Sequence, residues 1–543
     1  MRLYLFTAVA AIAIAAPISA QTAKNAGGQV DKAQVNKIID EGITRSQVML
    51  TAAHLSDVIG PRLTNSPSMR VAEDWTQKQF TEWGLKNVHK EGFEFGRGWT
   101  LDRSSVRMVT PRPIQLTAIP IAWTPGTNGT ISAPVFVAPM KRERDFDKWH
   151  GQLKGKIVLV TLPNSGNEPD TAPFKRYTAE ELAKLDQYEQ PKYDPEAADR
   201  RLKRLDYTKK LGDFLKAEGA VAYATMSYRD GKLVHGEGYL FGVGDTMPLP
   251  GVEIAAEDYR RLARLAKIGP APTLEINTEV RFDDSDTKAY NVIAEIPGTD
   301  PKAGYVMAGA HLDSWVAGDG AGDNGAGTAM IMEAARILSA SGLRPKRTIR
   351  FALWVGEEQG LLGSLAYVEQ HLATRGNASD PAQTGMKRFY GWSNRWPIKP
   401  QPGYGDLAAY FNLDNGSGKI RGIYAENNPA VVATFKEWLA PFASMGATSV
   451  VIRKTGGTDH VFMQAVGAPG FQFIQDPLDY NSRTHHSSVD TFDHLKADDL
   501  RQGSIILASF LANAANADKA LPRPPLPTQP VVTDPFAYND DED

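Results

Sequence analysis

Tyr305-Val-Met-Ala-Gly-Ala-His311-Leu-Asp313 is an apolar run that stops on an imidazole and a carboxylate, and Gly322-Asp323-Asn324-Gly-Ala-Gly327 follows it closely. The first stretch predicts a buried strand at Tyr305 to Ala310, and the second predicts the entry to a helix over Gly325 to Ser341. The same event recurs downstream. Thr348 to Val355 ends at Gly356, Glu357 and Glu358, and Ala408 to Leu413 ends at Asp414. With a further strand at Val292 to Glu295 and a helix at Gly360 to Leu372, the alternation predicts an α/β domain whose mixed, largely parallel sheet is sandwiched by helices.

Open sheets of this kind collect their ligands outside the carboxyl ends of the strands, so these acids and imidazoles should meet in one crevice. Alternation along the strand puts His311 and Asp313 on one face, where Asp313 could accept the second ring N–H of a metal-bound His311. Glu357 and Glu358 are adjacent and point apart; one can bind metal while the other faces the water to be activated. Arg483 to Asp493 adds His485, His486 and Asp490. His311, Asp323, Glu358, Asp414 and His486 form a nitrogen and oxygen donor set suited to zinc. Two zinc ions bridged by one carboxylate would use all five.

Composition narrows the field. The 543 residues are 42% hydrophobic and 23% charged, with a net charge of -3, so no excess positive field exists to hold nucleic acid. With no cysteine, the chain has no thiol nucleophile, disulfide or cysteine-ligated metal. Gly320 to Gly325 satisfies G-x-G-x-x-G, yet acids interrupt it where pyrophosphate would sit, and the serine-hydrolase elbow and the H-E-x-x-H helix are both missing.

Residues 1–20 place Arg2 before an apolar run and end in small residues at Ala20, which predicts a cleaved export signal and a periplasmic or secreted protein. No later segment is apolar enough to span a membrane. Residues 21–119 and 283–519 are expected to form the α/β domain, with 120–282 a β-rich insert. Within the insert, the charged stretch Lys184 to Lys210 reads as a solvated helix or loop. Arg375 to Gly405 reads as a long surface loop over the site, and 520–543 as a disordered proline-rich and acidic tail. His54, His89, His150, His235, His371 and His494 read as surface or core residues. His460 stays open between a contact just outside the site and packing.

Taken together, His311-Leu-Asp313, Gly322-Asp323-Asn324-Gly-Ala-Gly, Glu357-Glu358, Asn412-Leu-Asp414 and His486 with Asp490-Thr-Phe-Asp493 resemble the co-catalytic zinc aminopeptidases of clan MH. Ser56-Asp-Val-Ile-Gly-Pro-Arg-Leu63 is similar to that family's N-terminal helix and loop, and Gly456-Gly-Thr-Asp459-His460 to a further motif near its active site. Gly155-Lys-Ile-Val-Leu and Lys216-Ala-Glu-Gly-Ala resemble a protease-associated domain. The resemblance implies that Asp323 bridges two zinc ions, that His311 and Glu358 serve different ions, and that Asp414 and His486 complete the shells. It also implies that Asp313 orients His311 and that Glu357 is the general base. One departure is His485, which stands where several members carry a tyrosine; His485 or a loop residue becomes the candidate donor to the oxyanion. The expected activity is removal of N-terminal residues from peptides, with a dipeptidase or carboxypeptidase as the alternative and a non-catalytic binding protein behind it. The substrate is a peptide or dipeptide, and the sequence leaves a homodimer open.

Overall fold

The computed structural model describes residues 30–166, 172–188, 196–376, 385–392 and 395–528. The export signal 1–20 and the acidic end of the tail lie outside them. One eight-stranded sheet runs in the order Lys86–Glu94, Lys288–Ile296, Thr348–Trp354, Tyr305–His311, Leu407–Asn412, Gly470–Gln475, Ile420–Tyr424 and Ser449–Val451. Its central strands, from Thr348–Trp354 to Gly470–Gln475, are parallel, and antiparallel pairs flank them on both sides. All seven residues of Tyr305–His311 are buried, because helices cover both faces. Val306, Ala308 and Ala310 join the core under helices Ala326–Ala340 and Ala497–Asn516, whereas Tyr305 and Met307 join the core on the opposite face. The parallel centre aligns the carboxyl ends of three strands, and His311, Glu357 and Asp414 all leave from that edge.

A second eight-stranded sheet spans Gly98 to Asp283 and has its own apolar cores, built on residues such as Val106, Ile157 and Leu274, and on Leu153, Leu215 and Tyr223. Its strand Gly98–Thr110 pairs with Thr273–Asp283 and lies ahead of position 120, where the sequence places the start of the insert. The polar centre of that strand, Asp102-Arg-Ser-Ser105, hides its strand character from a hydrophobicity pattern.

The charged stretch read as a solvated helix or loop up to Lys210 lies in part in the helix Ala197–Ala217, which runs on beyond it. Arg375 to Gly405 is more than a loop: Ala373–Arg375 pairs with Ile398–Pro400, and the helix Gly385–Trp392 lies between them. No described helix is long and apolar enough to cross a membrane.

Candidate active site

Each strand that ends at the crevice is tied down just beyond its last residue. The fully buried Arg62 guanidinium donates to five main-chain carbonyls, those of Leu55, Gly60, Leu312, Asp319 and Gly320, and so fixes both ends of the loop that precedes Asp323. Burial lowers this guanidinium to about 10, within a range that keeps it charged at neutral pH. The Asp490 carboxylate accepts the main-chain N–H groups of Gly322 at 2.6 Å and Asp323 at 2.9 Å. Asn324 donates to the Leu413 carbonyl at 2.9 Å, joining this loop to the strand that carries Asp414.

The side chains converge in two sets that share Asp323. His311 Nε2 lies 3.3 Å from Asp323 Oδ1 and 3.5 Å from Asp414 Oδ1. His486 Nε2 lies 2.9 Å from Glu358 Oε2 and 3.4 Å from Asp323 Oδ2. The two oxygens of Asp323 thus face different imidazoles. Glu357 Oε2 is 4.0 Å from His311 Nε2, grouped with His311 and Asp414. His485 stacks on His486 with ring centroids 3.8 Å apart, and its Nε2 is 3.9 Å from Asp323 Oδ2.

Asp313 meets the His311 ring with its main-chain carbonyl and not with the carboxylate the sequence suggests. His311 Nδ1 is 3.0 Å from the Asp313 main-chain carbonyl and 3.7 Å from its carboxylate. The carboxylate instead accepts the N–H groups of Glu357 at 3.3 Å and Glu358 at 3.2 Å, and the Thr64 hydroxyl at 3.0 Å. A strand end turns too sharply for simple alternation to hold; Asp313 therefore orients His311 through its backbone and the two glutamates through its side chain.

So many acids in a buried site perturb one another. Burial, partly opposed by His486 and reinforced by Asp323, pushes Glu358 up to about 7. Burial also raises Glu357 well above the carboxylate range; the charge of His311 opposes the rise, and Asp414 and Asp459 add to it. Burial would depress His311 and His486, yet facing carboxylates carry both well above the ordinary imidazole value. His485 goes the other way, lowered chiefly by burial. Asp323 Oδ2 and Glu358 Oε1 are buried without a hydrogen-bond partner. Unsatisfied buried carboxylate oxygens facing imidazoles fit a cation.

A cavity of about 630 Å³ opens onto these groups. Tyr480, Tyr239, Phe389, Tyr390 and Arg201 line it, and none of them was a candidate from sequence. Phe389 and Tyr390 come from the short helix in 375–405, and Arg201 and Tyr239 from the second sheet's domain. A larger cavity of about 850 Å³ lies within that domain, walled mainly by apolar side chains; it shares only Glu237 and Tyr239 with the surroundings of the acids. Chemistry belongs with the smaller cavity. His460, left open by the sequence, is buried with Nε2 3.5 Å from Glu426 Oε1.

Residues 291–511, which carry His311, Asp323, Glu358, Asp414 and His486, match the model of Peptidase family M28. This segment belongs to that family. The M28 segment and its surroundings are 26% identical over 471 residues to carboxypeptidase Q of Mus musculus, covering 86% of each chain. The fold is similar to the peptidase M28 precursor of Shewanella amazonensis, at 23% identity over 91% of this chain and 98% of that one, with a TM-score of 0.63. It is also similar to a zinc aminopeptidase from Bacillus subtilis, at 17% identity over 88% and 98% of the two chains, with a TM-score of 0.55.

Proposed function

We propose that this M28 peptidase is an exported zinc enzyme that removes the N-terminal residue of peptides. The observation that supports it most is Asp323, whose Oδ1 faces His311 and whose Oδ2 faces His486, beside two buried carboxylate oxygens, Asp323 Oδ2 and Glu358 Oε1, that have no hydrogen-bond partner. His311 and Asp414 would hold one zinc ion, Glu358 and His486 the other, and Asp323 both. Bound there, the two ions would bring a shared water toward a pKa of about 7 and polarise the scissile carbonyl. Glu357, poised by burial and neighbouring acids to accept a proton, takes it from the attacking water and returns it to the leaving amine. Arg229 faces His485 Nδ1 at 3.4 Å as a donor, which leaves the proton of a neutral imidazole on Nε2. That N–H points into the crevice and can donate to the developing oxyanion. The free amine of the substrate would rest against Glu357, Asp414 or a backbone carbonyl at the site.

Glu357→Gln should keep both zinc ions and lose about 10²-fold or more in turnover, whereas Glu358→Ala should lose bound zinc. Metal analysis beside an amino-acid arylamide assay reads both, and full activity in Glu357→Gln would remove the assigned base.

A dipeptidase or carboxypeptidase is the second reading, favoured by Arg201. Among the described residues lining the cavity it is the sole Lys or Arg, stacked 5.3 Å over Tyr390. A cation facing a cluster of acids suits a short substrate with charge at both ends. Comparing a dipeptide with its amidated and N-acetylated forms separates the two. Loss on acetylation alone supports the aminopeptidase; loss on amidation, reduced in Arg201→Gln, supports the alternative.

A further inference from the structure

The inserted domain reaches the metal-ligand cluster through one carboxylate. Glu237 Oε1 lies 3.0 Å from His486 Nδ1, on the side of the ring opposite the nitrogen that faces Asp323 and Glu358. The Tyr228 hydroxyl donates to the same Oε1 at 3.2 Å, so the carboxylate is held from its own domain as well. Tyr228 stacks on His235, whose Nδ1 lies 2.9 Å from Glu253.

The backbone around Glu237 fits this one placement. Gly236 has a φ of +71°, and a Cβ there would lie 3.1 Å from the Pro120 carbonyl oxygen. At Gly238 a Cβ would lie 2.2 Å from the Ala122 carbonyl oxygen. Side chains at either position would lift the segment off 119–122 and swing Glu237 away. Main-chain contact continues the join, with Ser488 N–H donating to the Val234 carbonyl at 2.9 Å.

We propose that Glu237 is a positioning residue for His486: it accepts the Nδ1–H, fixes the tautomer and holds the Nε2 lone pair toward the cation shared with Glu358 and Asp323. An imidazole ligand so held binds metal more tightly, because the ring neither rotates nor protonates on the wrong nitrogen and the carboxylate raises its basicity. The domain that supplies Glu237 is thereby part of the metal centre. This rests on the two-metal reading above.

Zinc titration of the chelator-stripped full chain, under a competing chromophoric chelator, tests it. Wild type should bind two ions, and His486→Ala should weaken one of them. Glu237→Ala should weaken that same ion by about 10–100-fold and leave the other unchanged, and Glu237→Gln, which retains an acceptor oxygen, should recover part of the loss. Wild-type affinity at both sites in Glu237→Ala, or equal weakening at both, would overturn the positioning role while the two-metal reading stands. Fewer than two ions on wild type, or two unperturbed ions on His486→Ala, would overturn that reading and the inference with it.

Discussion

At the scale of single residues, the candidate centre depends on groups that never touch a ligand. Asp490 holds two consecutive N–H groups, and its Asp490→Ala variant should free the Asp323 loop and weaken zinc by about 10–100-fold, read by the same chelator competition. Arg62→Met would remove the side-chain donor from five carbonyls, of which those of Leu55 and Gly320 keep a main-chain N–H, and a loss of about 3 kcal/mol in urea denaturation is expected. Three of the proposed ligands, His311, Glu358 and Asp414, stood out in sequence because each stands at the end of an apolar strand; Asp323 and His486 lie away from the strand ends and were legible only through a glycine run and a resemblance. Glu237 was not legible. Its partner lies 249 positions further on, and His235-Gly-Glu-Gly238 carries no period; the only usable signal was a charged residue between two glycines. Asp313 shows a subtler limit, since sequence placed it beside His311 and only coordinates could assign the ring contact to its carbonyl rather than its carboxylate.

At the scale of elements, the parallel strands were readable as continuous apolar runs, and the edges were not. The antiparallel edge strand Lys86–Glu94 is largely half-buried and mixed in character. Its Glu91 bonds His371 at 3.0 Å and His89 at 3.2 Å, pinning the edge to the segment after helix Leu362–Tyr367. Burial would raise the Glu91 carboxyl, but these imidazoles bring it below its ordinary 4.5. A carboxyl depressed in the folded state adds stability above its unfolded value, and that stability is lost as pH falls through the folded value. The melting temperature of wild type should therefore exceed that of Glu91→Gln by a few degrees at pH 6, and the difference should close as pH falls through the lowered carboxyl value below 4.5. The segment 375–405 failed as a loop prediction for a related reason: its helix is short, and its apolar residues Phe389 and Trp392 pack on a neighbouring core instead of repeating along a face.

At the scale of the whole molecule, two sheets with separate cores are joined where the cavity opens. Repulsion among buried acids opposes closure of the metal-free centre, and a cation relieves it. Stripping metal with a chelator should lower the melting temperature, and restoring zinc to 100 times its dissociation constant should return about 2.7 kcal/mol per site. Differential scanning fluorimetry across a zinc series reads this directly, and a melting temperature indifferent to zinc would count against a metal centre here. The order of the ligands along the chain has its own consequence. Arg62 waits for the carbonyls of 312–320, and the last imidazole, His486, emerges from the ribosome only after every other ligand. On the proposed assignment, a nascent chain carries the acids before His486 exists, so the centre cannot close until synthesis is nearly finished.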